Sequence, residues 1–435
     1  MRIAYVTAGA AGMFCGSCLK DNTLVAALQR AGQDAVLIPT YTPLRTDEQD
    51  VSLPRIFLGG INVYLEQKYA VFRRTPRWLD RMLSSRWLLR AVSHFASRTP
   101  YRELGELTIS MLRGPAGNQA KEMNELAQWL AVEWRPDVVV LSNALLSGLL
   151  PAIRRWLQVP LVVTLQGDDI FLDALLPEHR TVCLDLIRAN CAEASAFIAT
   201  SRYYADYMAE YLGLERSNIH VVHPGINLQG CSGPRPVRRE PPYTIGYFAR
   251  ICPDKGWHQL VDAYLLLRQR TDLPRVRLKV GGYLGAGDRD YFQHHWQRLL
   301  QAGLAADIEH VDCPNHADKL HFLQSLDLFC VPTVYREPKG LYLLEAWANG
   351  VPAVQPAHGA FPELIELSGG GVLVPPGQSA ALAQTIAQLL LDPDQRERLA
   401  QAGAAAVQRY FHAERMAQQT LKVLEDCCCT STLPA

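Results

Sequence analysis

The chain has 435 residues, too many for one ordinary core and enough for two domains. Apolar residues make up 49% and charged residues 20%, the balance of a globular protein rather than a disordered one. Lysine plus arginine number 43, as do aspartate plus glutamate, so no charge excess points to nucleic acid or a strongly acidic partner. The opening MRIAYVTAGAAG carries an arginine but no long apolar run before a cleavage site. It reads as a first strand, not a signal peptide. No segment offers about 18 uninterrupted apolar residues, so a membrane span is not expected. The 11 cysteines are odd in number, and Cys183, Cys191 and Cys330 sit in apolar surroundings as small hydrophobes do. Free thiols in a reducing, cytoplasmic compartment are expected.

In chain order, Arg2 to Thr7 is a short apolar run and AGAAGMFCGSC, from Ala8 to Cys18, is glycine-rich. A helix from about Leu19 to Arg30 follows, with Leu24, Ala27 and Leu28 on one face and Gly32 as its stop. With the next strand, Ala35 to Ile38, this opens a doubly wound parallel domain. The loop lacks a full G-x-G-x-x-G fingerprint, which argues against a nicotinamide enzyme. Cys15 and Cys18 form a C-x-x-C, but neither a thioredoxin-like context nor two further zinc ligands lie nearby in the sequence. Small residues in a tight loop are the plainer reading, with a redox role left open.

Tyr41 to Gly117 is the least patterned stretch. It holds a basic, aromatic run over 68–102, where Trp78, Met82, Leu83 and Trp87 share a helix face beside several arginines. Such a helix suits an anionic membrane surface or a lipid acceptor. A solvated covering face fits equally, and the residues do not decide between them. Regular alternation resumes at Lys121: a helix to Trp134, the strand Asp137 to Leu141, a helix from about Leu145 to Leu157 and the strand Leu161 to Leu165. That strand runs into Gln166-Gly167-Asp168-Asp169. Loops after the carboxyl ends of parallel strands hold ligands, so Asp168 and Asp169 are candidate site residues, with helix capping as the alternative. A helix near Val182 to Ala194, the strand Ala196 to Thr200 and a further helix complete the first half. QGCSGPRPVRREPP, from Gln229 to Pro242, reads as a linker.

The second half starts with the strand Tyr243 to Ala249, then Arg250 and Lys255-Gly256. An arginine supplies fixed donors and a lysine a mobile point charge for phosphate oxygens. Strands at Arg277 to Val280, Ile308 to Val311 and Leu328 to Val331 lead to EPKGLYLLEAWANGVP. Here Glu337 and Glu345 bracket Gly340 and a helix expected from Leu341 to Asn349. A glycine lets a ligand approach the main chain, and the helix start at Gly340-Leu341 offers amides and a positive dipole end to a diphosphate. Helices from Ser379 to Asp426 end the chain, and Cys427 to Ala435 reads as a disordered tail, with palmitoylation of its cysteines as a weak option.

The run EPKGLYLLEAWANGVP fills every fixed position of E-x-x-G-x-x-x-x-E-A-x-A-x-G-x-P and so resembles the retaining glycosyltransferases of the GT-B fold, family four. Arg250 and Lys255-Gly256 resemble the same family's strand-G-R-x-x-x-x-K-G signature, and Gly359-Ala360-Phe361-Pro362-Glu363 its glycine-to-glutamate segment. The resemblance is strongest from Tyr243 to Val374. It implies an α/β, GT-B protein of two facing Rossmann-like domains with a cleft between them: an acceptor domain over 1–228, a nucleotide-sugar domain over 243–410, and a helix over 411–435 crossing back. It implies transfer of a hexose from a nucleotide-diphosphate sugar to a sugar, glycan or lipid hydroxyl. Arg250, Lys255 and the start at Gly340-Leu341 would steady the diphosphate, Glu345 the ribose and Glu337 a sugar hydroxyl. Gly12 and Gly16 of the first loop would lie near donor phosphates and acceptor. No cofactor and no metal are expected, because cations and helix dipole stand where magnesium otherwise would. Asp288 and Asp290, behind a glycine loop, look like surface residues. Many family members carry a histidine in the loop occupied here by Asp168 and Asp169; this chain has none there. Rival readings are a nucleotide-sugar epimerase or phosphorylase of the same fold, a non-catalytic nucleotide-sugar binder, and, least favoured, a redox protein using Cys15 and Cys18.

Overall fold

The structure, a computed structural model, describes residues 1–9, 15–69 and 101–431. These divide into two compact units, Met1–His223 with Ala413–Ala435, and Pro224–His412.

The first unit is built on β1 (Arg2–Thr7), β2 (Asp34–Pro39), β3 (Val138–Leu141), β4 (Leu161–Leu165), β5 (Ala196–Ala199) and β6 (Ile219–Val221). They form one parallel sheet in the order β2-β1-β3-β4-β5-β6. The interiors of β1, β3 and β4 are buried along their whole length, which is why they read as unbroken apolar runs rather than alternating ones. The described helices of this unit, numbered in chain order, are α1 (Gly16–Arg30), α2 (Gly60–Lys68), α3 (Tyr101–Leu112), α4 (Ala120–Trp129), α5 (Leu149–Arg154), α6 (Asp168–Asp173), α7 (Pro177–Cys191) and α8 (Arg202–Leu212).

The second unit contains β7 (Tyr243–Phe248), β8 (Val276–Gly281), β9 (Ile308–Val311), β10 (Leu328–Phe329), β11 (Ala353–Pro356) and β12 (Gly371–Val374). Their order is β12-β11-β10-β7-β8-β9, again all parallel. Its helices are α9 (Trp257–Arg268), α10 (Arg289–Gln301), α11 (His316–Gln324), α12 (Leu341–Ala348), α13 (Phe361–Ser368), α14 (Ser379–Leu391) and α15 (Pro393–Tyr410). The last helix, α16 (Ala413–Ser431), belongs to the first unit and packs on α1. The α/β class and the two doubly wound units expected from the alternation are present.

Several expectations need correction. The helix expected over 145–157 is a 3-10 turn at Ala144–Leu146 followed by the short α5. Gly148 lies between them, so close to Met111 that a Cβ there would sit 2.1 Å from the Met111 carbonyl oxygen. The segment read as a linker is bonded into the second unit: Ser232 N–H donates to Asn349 Oδ1 at 3.3 Å, and Arg235 Nε to the Asn349 carbonyl at 3.1 Å. The tail is no loose end at Cys427, because α16 continues to Ser431 and buries Cys427 in a cluster with Met416, Ala417 and Leu424. Cys427 is thereby shielded, whereas Cys428 is half-buried and Cys429 exposed. None of the 11 cysteines is in a disulfide. The basic run over 68–102 falls largely outside the described residues. Among the described residues no helix is long and apolar enough to cross a membrane.

Candidate functional site

In the second unit β11, β10 and β7 are neighbours, and the loops leaving their carboxyl ends meet. The β7 loop carries Arg250 and Lys255, the β10 loop carries Glu337 and Gly340, and the β11 loop carries Gly359. Two glycines allow the approach. Gly256 has φ +72°, and a Cβ on it would stand 1.7 Å from the Pro332 carbonyl oxygen. Gly359 has φ +60°, and its Cβ would stand 2.6 Å from both the nitrogen and the oxygen of Glu337. Further bonds join the loops: Val334 N–H donates to the Asp254 carbonyl at 2.8 Å, and Ala360 N–H to the Glu337 carbonyl at 2.8 Å. Convergence at the carboxyl ends of adjacent parallel strands is where such sheets hold ligands.

Glu337 is the centre of this junction and is 3% exposed. Its Oε2 accepts from Lys255 Nζ at 2.6 Å, from Tyr342 Oη at 3.0 Å and from the Tyr335 phenol. Its Oε1 accepts from the main-chain N–H groups of Lys339 and Gly340, each at 3.3 Å. Burial alone would push its pKa up, but Lys255, the Tyr335 phenol and Lys339 outweigh that and hold it down to about 2. Glu337 is therefore ionised throughout the physiological range. It also occupies the amide that opens α12, where Gly340 caps the helix at φ +63°. The first helical amides, Leu341 and Tyr342, lie beyond it and have no acceptor inside the helix.

Lys255 is 16% exposed and stands over two tyrosine rings, 4.8 Å from the centroids of Tyr335 and Tyr342. Arg250 is more open, at 45% side-chain exposure, with its Nε 3.3 Å from Cys252 Sγ and Nη2 3.8 Å from Asp254 Oδ2. Glu345, four residues into α12, pairs with Lys319 Nζ at 2.7 Å. Each carboxylate of the Glu-x7-Glu motif thus has its own lysine, half-buried at Lys255 and buried at Lys319. On the far side of α12, Trp347 is fully buried and donates from Nε1 to the Gly370 carbonyl at 2.7 Å, which fixes the helix against the core.

The sequence reading brought Arg250, Lys255, Glu337, Gly340, Leu341 and Glu345 to one end of one sheet. It missed Tyr335, Tyr342 and Lys319. The signal for Lys319 was a lysine set among Leu320, Phe322 and Leu323 on the buried face of α11. No spacing rule marks the tyrosines.

In the first unit, Gly16 opens α1 and Gly12 lies outside the described residues. Asp168 is buried, its Oδ1 accepting from Ala144 N–H at 2.6 Å and its Oδ2 from Gln166 N–H at 2.9 Å. Asp169 Oδ1 accepts from Tyr204 Oη at 2.6 Å, while that phenol oxygen accepts from the Gly167 and Asp168 amides at 2.8 and 2.9 Å. Neither side chain caps its helix, whose cap is Gly167. Asp168 ties the β3 and β4 loops together, and Asp169 ties the β4 loop to Tyr204 of α8. Burial pushes the Asp168 carboxyl up to about 6 against the pull of its two amide donors. A carboxyl with a raised folded pKa adds stability as pH falls from about 6 towards its ordinary 3.8. Asp168→Asn turns an N–H donor towards one of those amides, and should cost about 2 kcal/mol at pH 7 and flatten that slope. Urea titrations between pH 4 and 7 would measure both; an unchanged slope would contradict the assignment.

Among the described residues no group of three or more His, Cys, Asp or Glu is arranged to hold a metal ion.

Two family descriptions match the chain: "Glycosyl transferases group 1" over residues 234–406, and "Glycosyl transferase 4-like domain" over residues 22–225. A D-inositol 3-phosphate glycosyltransferase of Salinispora tropica is 30% identical over 403 residues, spanning 84% of this chain and 80% of that protein. The chain belongs to the group 1 glycosyltransferases. A glycogen synthase of Mycobacterium tuberculosis is 28% identical over 296 residues, 67% of this chain and 69% of its own. Among solved structures, sucrose-phosphate synthase from Thermosynechococcus elongatus aligns with TM-score 0.71 at 18% identity, covering 99% of this chain and all of that one. Anabaena HepE, solved in complex with UDP, aligns with TM-score 0.67 at 20% identity, covering 98% of this chain and 100% of that one. These likenesses establish the GT-B fold of this glycosyltransferase.

Proposed function

We propose that this glycosyltransferase moves a hexose from a nucleotide-diphosphate sugar to a hydroxyl acceptor with retention at the anomeric carbon. The observation that carries the reading is the pairing of two carboxylates with two lysines around the start of one helix. Lys255 and Glu337 lie at its N-terminus and Lys319 and Glu345 one turn on. HepE, whose structures hold UDP and UDP-glucose, supports a nucleotide sugar as donor.

In this reading Glu345 holds the ribose, and Arg250, Lys255 and the amides at Gly340-Leu341 take the charge of the diphosphate as it leaves. That is work a divalent cation does in other transferases, so none is called for here. Glu337 reaches a sugar hydroxyl only by giving up one of its five donors, since a carboxylate has about four lone-pair sites and all are taken. The acceptor hydroxyl attacks from the face that the leaving group vacates. Gly12, Gly16, Asp168 and Asp169 stand for the acceptor side, on the first unit.

The test is direct. UDP-, GDP- and ADP-hexoses are offered with simple sugar and lipid acceptors, and the anomeric proton of the product is followed by NMR from the first turnovers. A product with the donor's own anomeric configuration is expected; the opposite configuration overturns retention, and nucleotide release without transfer points to a hydrolase or epimerase. Arg250→Ala should leave stability within about 0.5 kcal/mol, since the side chain is exposed and weakly paired. It should lower kcat roughly 10²- to 10³-fold, as loss of one oxyanion donor does elsewhere. A normal rate in that variant would remove Arg250 from the site.

A further inference from the structure

The tyrosines beside Lys255 have no role in the reading above, yet they make closer contacts to the charged pair than any other side chains. Lys255 Nζ donates to Glu337 Oε2 at 2.6 Å and to the Tyr335 phenol oxygen, and that phenol donates in turn to the same Oε2. Tyr342 Oη donates to it as well, at 3.0 Å. The ammonium therefore sits in a corner made of two aromatic faces and one carboxylate oxygen. Tyr342 is 9% exposed and wedged between Phe329 and Phe361, with ring centroids 6.1 and 6.4 Å away, so its phenol has one direction to point. Burial pushes both phenols well above their usual range, so both remain donors at any pH the protein meets.

An ammonium has three N–H groups. Among the described residues Lys255 uses two, one on Glu337 and one on Tyr335. We propose that Tyr335 and Tyr342 are positioning residues that clamp Lys255 against Glu337, so that its third N–H is held out for a phosphate oxygen of the donor. The clamp rests on the donor reading given above. Its value is preorganisation: a free lysine carries large rotamer freedom, which a donor would otherwise have to freeze as it binds. Because charge grows on the diphosphate as the glycosidic bond breaks, a loose Lys255 loses more in the transition state than in the ground state. The tyrosines should therefore act on kcat.

Tyr342→Phe, Tyr335→Phe and the double variant keep the rings and remove only the phenols. Tyr264→Phe is the control, because its buried phenol bonds the Val276 carbonyl at 2.8 Å elsewhere in the same unit. The full-length proteins are assayed with whichever of UDP-glucose, GDP-mannose and ADP-glucose the wild type consumes. Each single variant should lower kcat about 10-fold and the double about 100-fold, with KM within about twofold. Tyr264→Phe should keep the wild-type rate.

Acid unfolding gives a readout that needs no activity. The charged and titratable groups facing Glu337 are Lys255, Lys339, Tyr335, Tyr342 and His358. Removing two phenol donors weakens the hold on the ionised carboxylate, so the acid midpoint of the double variant should move to higher pH, and that of Tyr264→Phe should not. Raised KM with unchanged kcat would mean the phenols touch substrate and would overturn the clamp. So would unchanged kcat in a destabilised double variant. If the wild type consumes none of the three donors while the acid midpoint still moves, the donor reading fails and the tyrosines are left as fold-stabilising groups only.

Discussion

Replacing Lys255 by alanine should cost this protein about 3–5 kcal/mol at pH 7, because it leaves the Glu337 carboxylate buried without its counter-charge. The pH dependence has a definite sign. The folded pKa of Glu337 is lowered from 4.5 to about 2. A lowered carboxylate contributes stability that is fully present above its unfolded pKa and is lost as pH falls through the folded one. The window is thus from about 4.5 down to about 2, and the shift corresponds to something on the order of 3 kcal/mol. In Lys255→Ala the main opposing cation is gone, and burial drives the Glu337 pKa upward. The gap between wild type and variant should be widest at pH 7 and narrow as pH falls through the variant's raised folded pKa towards the wild type's. Urea unfolding at pH 7, 5 and 4 would measure it. A loss under about 1 kcal/mol at pH 7, or one that widens in acid, would show that the pair does not hold Glu337. Catalysis should fall by 10² or more in the same variant, at temperatures where it remains folded.

The second large effect is expected at Gly256. Its φ of +72° lies where a side chain costs about 1–2 kcal/mol, and a Cβ there would also press on the Pro332 carbonyl oxygen from 1.7 Å. Backbone cannot turn aside as a flexible side chain can, so Gly256→Ala should cost on the order of 3 kcal/mol in all. The displacement falls between Lys255 and the start of α9, and it should reduce activity even where the fold survives. Gly303→Ala separates the two contributions: its φ is +74°, but nothing lies within 4 Å of the added atom. That variant should lose only the conformational part, about 1–2 kcal/mol, with activity intact. Equal losses at the two positions would remove the close approach of the β7 and β10 loops from the explanation.

Most of the second unit could be read before any coordinates, because parallel strands buried on both faces write themselves as short apolar runs. Tyr243–Phe248 is a case, whereas the edge strand Ile308–Val311, with Glu309 and His310 exposed, is not. The Glu-x7-Glu helix was equally legible, since a glycine at its cap and an apolar interior leave little alternative. What sequence could not carry was pairing at long range. Lys255 and Glu337 are 82 residues apart and Lys319 and Glu345 are 26 apart, and only the strand order brings them together. The same limit hid the tyrosines, which look like ordinary core residues until Lys255 is placed beside them. Glu337 was expected to reach a sugar hydroxyl, and in the structure its two oxygens already accept from five donors. Boundaries failed where backbone packing rules, as at Gly148, and the cysteine-rich end was misjudged because α16 has α1 to pack against.

Whether the second unit binds a nucleotide diphosphate through α12 is best tested by thermal unfolding of the full chain with UDP, GDP and ADP. Wild type is compared with Glu345→Gln, which keeps the shape at Lys319 and removes the charge. At about 100 times its dissociation constant, the right nucleotide should stabilise the wild type by roughly 2.7 kcal/mol and raise its midpoint by several degrees. The variant's unliganded midpoint should itself fall, because the buried Lys319 loses its 2.7 Å carboxylate partner, so each shift is read against that protein's own unliganded midpoint. The variant should lose most of the shift. Equal shifts in both proteins, or none with any of the three nucleotides, would contradict a donor site built on Glu345 and the start of α12.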